Sequence, residues 1–366
     1  MSDFKINSIA TKQGQHGPVI AGVSTINSTG CMKIPSGPII AGVSTVTSTS
    51  HMVMPSGPTE MRGGRGRGVF GGGSPSYVNT MNFITISTAG NAEDFGDMTT
   101  GHQSRASFAS ATRGLFAGGY VPSGTSSKID FVIISSKGGA NDFGDTVISR
   151  QNCMGSSDST RGIYGGSRYS PSAVNNSNVI EFVTMASTGD ATNFGDLITG
   201  RGPMGTCSSP TRGIFAGGGT SSPVVAIQAI EFVTIQTLGN GTDFGQLSNA
   251  ALDAYGGASS TTRGLLSGIF PAVPANNIIE FITIATLGNS TDFGDLTVAR
   301  SGSAKMSNSV RGVFAKGRGG SSPYTYYNTI DFVTIASTGN ASDFGDATSA
   351  EWSTSGFSDS HGGIGD

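Results

Sequence analysis

Charged residues are scarce in this chain, and their scarcity limits what it can bind. Only 12% of the 366 residues are charged, and the net charge is −3. Binding to nucleic acid through phosphate contacts needs a concentrated positive surface, which this composition does not supply. The three cysteines and four histidines are scattered, without the spacing of a disulfide framework or a zinc site. The composition predicts no nucleic-acid partner, no metal and no cofactor.

Long hydrophobic runs are also missing. No apolar segment approaches the roughly 18 residues that a membrane-spanning helix requires, and the first residues, MSDFKINSIATKQ, lack the apolar centre of a signal peptide. We therefore expect no membrane insertion and no export by a signal peptide.

Glycine, in contrast, is abundant, and much of it belongs to an internal repeat. The triplet Asp94-Phe95-Gly96 has the same sequence as a magnesium-binding triplet of protein kinases, but its phenylalanine recurs every 48 to 51 residues. The six positions are Phe95, Phe143, Phe194, Phe244, Phe293 and Phe344. An Arg-Gly pair precedes each, with arginines at 67, 113, 161, 212, 263 and 311. A catalytic aspartate is needed once and the other kinase motifs are absent, so six copies indicate architecture.

Each repeat predicts about four short strands, because β-branched and aromatic segments alternate with Gly- and Asn-rich turns. Six units of about 50 residues favour an all-β fold, a six-bladed β-propeller over residues 61–366. The first unit lacks one strand, and residues 350–363 align with the missing piece. We predict that Glu351–Phe357 pairs beside Val69–Gly72 and closes the ring.

Two roles for the repeated residues follow from this fold. The triplet phenylalanines are expected to fill the gaps between blades. The Arg-Gly arginines and a column of strand acids are expected to form a ring of paired charges, and the alternative is a charged channel that binds an ion. The acid column contains Asn82, Asp130, Glu181, Glu231, Glu280 and Asp331.

The Gly-Gly pairs that follow an apolar strand, such as Gly118-Gly119 and Gly217-Gly218, resemble those of the kelch repeat. The triplet phenylalanine stands where a kelch repeat has tryptophan. The repeat sequence, approximately TRGLFAGG followed by IEFVTIASTGNATDFGDL, is also similar to repeats in virion structural proteins of tailed phages, especially marine cyanophages. This resemblance covers roughly 300 residues and implies a location in the virion.

Residues 1–60 have a different period. GPVIAGVSTINSTGCMKIPS, at 17–36, is followed by GPIIAGVSTVTSTSHMVMPS, at 37–56. Each copy predicts a β-hairpin around an Asn-Ser-Thr or Thr-Ser-Thr turn, and two hairpins cannot bury a core of their own. Similar stretches in cyanophage virion proteins imply a docking module that binds other virion proteins and makes the chain oligomeric. The alternative is a hairpin module that caps its own propeller.

The connections after the Gly-Gly pairs vary most and contain most of the tyrosines. Tyrosine together with Ser, Gly and Asn is typical of binding surfaces, and aromatic rings stack on the apolar faces of sugars. The predicted ligand-binding residues are Tyr77, Tyr120, Tyr169, Arg318, Tyr324, Tyr326 and Tyr327. Loops also collect such residues without any binding role, which is the competing interpretation.

The favoured hypothesis is a non-enzymatic virion structural protein, in a tail, baseplate, neck or head appendage. Its propeller would bind a glycan or protein receptor on the host surface, and no residue is predicted to be catalytic. One alternative is a kelch-like carbohydrate-active enzyme, for which only the scattered acids Glu93, Asp158 and Asp253 are candidates. Another alternative is an intracellular protein-interaction adaptor.

Overall fold

The computed structural model describes residues 66–167, 177–220, 225–252, 256–268 and 276–364, together with four short strands nearer the N-terminus. The chain divides into two units, Met1–Arg65 and Gly66–Asp366. Every regular element of the described residues is a β-strand, so the predicted all-β class is confirmed.

The N-terminal unit contains two strands per copy, as the 20-residue period predicts, but both end at or before the first residue of the Asn-Ser-Thr or Thr-Ser-Thr segment and do not lie on either side of it. They are β1 (Val19–Ala21), β2 (Thr25–Asn27), β3 (Ile39–Ala41) and β4 (Thr45–Thr47). The predicted hairpins are wrong, however, because β1 pairs with β3 and β2 with β4 in parallel. Each residue faces the residue 20 positions later, as in Val19 opposite Ile39. Two copies of nearly the same sequence thus pair like with like.

The second unit consists of six sheets of four antiparallel strands. Blade one begins with β5 (Arg67–Gly71), β6 (Thr80–Thr85) and β7 (Glu93–Asp97). Blade two contains β8 (Ala106–Ala109), β9 (Arg113–Ala117), β12 (Lys128–Ile133) and β13 (Asn141–Asp145), with the small hairpin β10 (Tyr120–Val121) and β11 (Gly124–Thr125) between its second and third strands.

The remaining blades follow the same order. Blade three is β14 (Met154–Ser157), β15 (Arg161–Ser167), β16 (Ser177–Thr184) and β17 (Thr192–Asp196). Blade four is β18 (Gly205–Ser208), β19 (Arg212–Ala216), β20 (Ile227–Thr234) and β21 (Thr242–Ala251). Blade five is β22 (Gly257–Ser259), β23 (Arg263–Ser267), β24 (Ile278–Thr283) and β25 (Thr291–Asp295). Blade six is β26 (Ala304–Ser307), β27 (Arg311–Gly319), β28 (Thr325–Thr334) and β29 (Ser342–Asp346).

The last strand, β30 (Ser355–Ser358), closes the ring by pairing with β5, with Phe357 opposite Val69. The first strand of every blade contacts the first strand of the next, from β8 through β14, β18, β22 and β26 to β30 and back to β8. These six inner strands surround the axis of a six-bladed β-propeller. The predicted closure is confirmed, although the paired strand begins at Ser355 and not at Glu351.

The hydrophobic core lies between blades. All six triplet phenylalanines are 2–3% exposed, as predicted. Phe344 of blade six, for example, packs in one cluster with Ile84 and Ile86 of blade one. Each also meets a phenylalanine of its own blade edge-on, at centroid distances between 5.9 and 6.2 Å.

The Arg-Gly arginines do not pair with the acid column, so that prediction is wrong. Arg263 instead lies over the ring of Phe281, 4.4 Å from its centroid, and its Nη1 donates to the carbonyl of Ile335 in the next blade, 2.8 Å away. Arg311 repeats this contact from blade six to Ile86 of blade one. These arginines join blades through a backbone carbonyl, which the repeat spacing alone does not reveal.

Candidate binding face

One face of the propeller carries the variable connections, and we call it the loop face. Because strands alternate in direction within a blade, the connections between second and third strands lie on the same face as those between blades. The opposite side, the turn face, carries the two tight turns of each blade. Five predicted tyrosines, Tyr77, Tyr120, Tyr324, Tyr326 and Tyr327, are partly buried and belong to or adjoin the variable connections. Tyr169 lies outside the described residues.

In blade six, β27 and β28 continue beyond the blade on the loop face as a paired hairpin. A register shift between Ala315 and Gly317 marks where the hairpin departs from the blade. Lys316 and Gly317 have positive φ angles of 62° and 123° at this bulge. Bulges of this kind redirect side chains at the ends of sheets. This one places Arg318 opposite Tyr326.

The Arg318 guanidinium contacts two aromatic rings. Its Cζ lies 4.4 Å from the ring centroid of Tyr324 and 3.2 Å from that of Trp352. Trp352 also packs against the cluster that contains Met154 and Met204, from blades three and four. The rings therefore hold the arginine side chain in one position on the loop face.

Tyr326 and Tyr327 differ in their surroundings, as alternation along a strand requires. Tyr326 is directly opposite Arg318 and therefore shares its side of the hairpin. Tyr327 packs against Gly319, where an added Cβ would lie 3.1 Å from its Cε2. Tyr327 is a packing residue, whereas Tyr324 and Tyr326 belong with the arginine.

The blade-one and blade-two connections continue this surface. The rings of Tyr77 and Tyr120 are tilted against each other with centroids 6.0 Å apart. Ser74, near Tyr77, forms a bridge with Trp352 through two backbone hydrogen bonds of 3.0 and 3.3 Å. We call the resulting set the aromatic arc; its members are Tyr77, Tyr120, Arg318, Tyr324, Tyr326 and Trp352.

Trp352 is the member of the arc that sequence reasoning missed. The sequence places it in the closing segment but does not connect it with Arg318, because a ring contact between blade six and the end of the chain has no local sequence pattern. The signal that could have found it is composition: it is the only tryptophan in the chain.

Ion pairs beneath the loop face account for most of the acid column. Asp130 pairs with Arg105 at 2.5 Å and Asp331 with Arg300 at 2.8 Å, and both pairs are almost completely buried. Glu181 pairs likewise with Arg150, and Glu231 with Arg201. The pKa of Arg300 is lower than usual, because burial lowers it by more than the nearby Asp331 raises it. These pairs link the inter-blade connection to the third strand, so they support the loop face from below.

The seam where the ring closes has a different arrangement. Glu351 occupies the repeat position that is Arg300 in blade six, and it pairs with Lys316. Burial lowers the pKa of Lys316, and Glu351 offsets part of that decrease. Asn82 replaces the acid and accepts from the Thr348 hydroxyl at 2.6 Å. The carboxylate of Glu351 is therefore already neutralised by Lys316, which lies on the same strand as Arg318.

The axial channel is too small for a sugar. Five of the six inner strands present a serine near the end of the strand, and these serines bridge neighbouring strands: the Ser307 hydroxyl donates to the Ser259 carbonyl at 2.9 Å, and the Ser157 hydroxyl to that of Ala109 at 2.8 Å. Burial, with a smaller contribution from Arg300, lowers the pKa of Lys305 in the channel to about 7. The cavity there has a volume of about 50 Å³, which holds a few water molecules.

Two of the three acids considered for catalysis have structural partners. Glu93 pairs with Lys137 of the next blade on the turn face. Asp158 accepts from the backbone N–H of Thr160 and of Arg161 in its own turn. Asp253 lies outside the described residues. Among the described residues, no three His, Cys, Asp or Glu side chains are grouped so as to hold a metal ion.

Neither a protein-family model nor a curated protein sequence matches this chain. No helix in the described part of the chain is long and apolar enough to cross a membrane. The fold and the aromatic arc are thus the basis for a functional assignment.

Proposed function

We propose that this protein is a non-enzymatic structural component of a tailed-phage virion, and that its propeller binds a saccharide on the host surface through the aromatic arc. The observation that carries the binding proposal is the arginine stacked between partly exposed rings on the loop face. Aromatic rings stack on the apolar faces of sugars, and a guanidinium donates hydrogen bonds in a fixed plane. Both groups are ordered before a ligand binds, which reduces the entropic cost of binding.

The virion location is supported by the resemblance of the repeat sequence to repeats in phage structural proteins. Residues 1–60 would bind other virion proteins and hold the propeller on the particle in several copies. A β-propeller by itself does not specify a function, which depends on the residues of its faces. Mass spectrometry of purified particles should detect this chain in stoichiometric amounts, and its restriction to the lysate of infected cells would contradict the proposal.

The binding proposal is tested by replacing the rings that flank the arginine. The double variant Tyr324→Ala/Tyr326→Ala should lose binding to a glycan array and to intact cyanobacterial cells. Its melting temperature should change little, because both side chains are partly exposed. The matched control is Leu238→Ala/Leu287→Ala, which removes two exposed side chains from the turn face and should leave binding intact.

Two outcomes would redirect the assignment. If the control loses binding and the tyrosine variant retains it, the turn face is the binding face. If the protein releases product continuously from a host polysaccharide, the proposal of a non-enzymatic protein is wrong, and the carbohydrate-active alternative takes its place.

A further inference from the structure

The guanidinium of Arg318 is held in place but has no partner for its charge among the described residues. Two neighbouring cations do have carboxylate partners: Arg300 pairs with Asp331, and Lys316 pairs with Glu351. Within the described part of the chain, Arg318 has no ion pair, and the contacts recorded for its side chain are those with the two rings. A cation left without a counter-ion beside aromatic rings is suited to an anionic ligand.

The geometry also selects the kind of anion. Ring contacts engage the flat faces of a guanidinium and leave the N–H groups in its plane. Two parallel N–H groups match a planar carboxylate or two oxygens of a sulfate, and such pairs are the strongest hydrogen bonds of this type. Tyr324, Tyr326 and Trp352 would then contact the ring that bears the anion.

We propose that the ligand of the aromatic arc is an acidic saccharide, whose carboxylate or sulfate oxygens are bound by the N–H edge of Arg318. This inference rests on the proposed function, because it names the class of saccharide that the same face would bind. It predicts that affinity for acidic polysaccharides depends on Arg318 and weakens as salt concentration rises.

Trp352 provides the measurement. It is the only tryptophan of the chain, and it contacts Arg318, so ligand binding at the arc should change its fluorescence. The full-length protein would be titrated with polyglucuronate, dextran sulfate, neutral dextran and polyglutamate. The first two separate carboxylate from sulfate, dextran lacks the charge, and polyglutamate has carboxylates without a sugar ring.

Three variants make the test specific. Arg318→Gln should weaken binding of the acidic saccharide by about tenfold or more, the usual effect of losing a charged hydrogen-bonded pair. Arg318→Lys should restore only part of that loss, because lysine keeps the charge but not the planar fork. Lys137→Gln is the charge-matched control, since Lys137 is an exposed cation that contacts the ring of Phe83 on the turn face.

The expected result is binding of polyglucuronate or dextran sulfate that Arg318→Gln loses and Lys137→Gln keeps. Binding of neutral dextran as tight as that of the acidic saccharides, and unchanged in Arg318→Gln, would overturn the acidic ligand while keeping a saccharide at the arc. Polyglutamate binding as tight as that of the acidic saccharides would assign the site to acidic peptides and overturn the inference. Failure to bind any polysaccharide would overturn both this inference and the proposed binding function.

Discussion

At the scale of single residues, the triplet glycine explains why Asp-Phe-Gly recurs six times. An added Cβ at Gly345 would lie 2.5 Å from the carbonyl oxygen of Gly90 in the neighbouring blade, and Gly345 has a φ of 144°. The same approach occurs at Gly245, where the Gly288 oxygen would be 2.2 Å away. The triplet therefore combines a phenylalanine that fills the gap between blades with a glycine that lets the blades approach.

This contact offers a matched pair of substitutions. Gly345→Ala should lower the free energy of unfolding by about 2 kcal/mol or more, because it adds both a steric clash and an unfavourable φ. Gly90→Ala, on the other side of the same contact, has no atom within 4 Å of the added Cβ. It should change stability by less than about 0.5 kcal/mol. Urea unfolding of both variants measures the difference, and equal losses would contradict the role given to the triplet.

Two buried histidines predict a dependence of stability on pH. Burial lowers the pKa of His102 and of His361 to about 4, from the usual 6.5. Between these values the unfolded chain binds more protons than the folded one, so unfolding becomes easier as the pH falls from about 6.5 to 4.

The variant His361→Gln should show a shallower decrease in unfolding free energy over this range, because one of the two histidines no longer takes up a proton on unfolding. Glutamine can still donate to the Ala109 carbonyl, which His361 Nε2 contacts at 2.7 Å. Urea unfolding at several pH values measures the slope. Parallel curves for the wild type and the variant would show that His361 does not contribute.

The residue scale also shows what periodicity cannot predict. The burial of the triplet phenylalanines followed from their spacing, since a large apolar residue at every unit must pack somewhere. The partners of the acids could not be predicted from the spacing. Arg105, which pairs with Asp130, and Arg300, which pairs with Asp331, occupy different positions relative to the inner strands of their blades. Side chains of several lengths can reach the same carboxylate, so partner choice is settled only by three-dimensional contacts.

At the scale of elements, the closing strand is the connection on which the ring depends. Phe357 of β30 meets Phe116 of blade two with ring centroids 4.9 Å apart. Asp359, just after β30, accepts from the backbone N–H of Gly66 at 2.6 Å and of Arg67 at 3.0 Å. The same role is filled within one turn by Asn308 in blade six. The C-terminus thus completes a turn that in other blades is continuous.

Deletion of residues 350–366 should open the ring and expose the edges of β5 and β8. Exposed strand edges promote aggregation, so the truncated protein should aggregate or melt at a much lower temperature. A synthetic peptide of residues 350–366, added in trans, should restore part of the melting temperature, and a scrambled peptide should not. An unchanged melting curve after deletion would mean that the ring does not depend on this strand.

The elements also show where the sequence was ambiguous. The blade strands were predictable because four short segments between turn residues recur six times. The number of N-terminal strands per copy was predicted correctly, but their positions relative to the Asn-Ser-Thr and Thr-Ser-Thr segments and their partners were not. Two segments separated by a turn can form a hairpin, and two near-identical copies can equally pair side by side, so local pattern alone did not decide between β2 and β3 as the partner of β1.

At the scale of the whole molecule, ring closure assembles the candidate site from distant parts of the chain. Arg318, Tyr324 and Tyr326 are close in sequence and were predicted together from composition. Trp352 and Ser74 join them only because the end of the chain pairs with its first blade. A site at such a seam is only partly predictable from sequence, because its contacts span nearly the full length of the propeller.

The division of the chain into two units leads to the last prediction, which concerns assembly. The propeller has its own core between blades and is closed by its own last strand, so a protein comprising residues 61–366 should remain a folded monomer. The full-length chain should form oligomers or bind virion proteins, because β1 and β3 are short and apolar and all four strands pair copy with copy. Such pairing can extend to another subunit. Light scattering and pull-down with virion proteins compare the two. Identical behaviour of both proteins would remove residues 1–60 from assembly and leave attachment to the propeller.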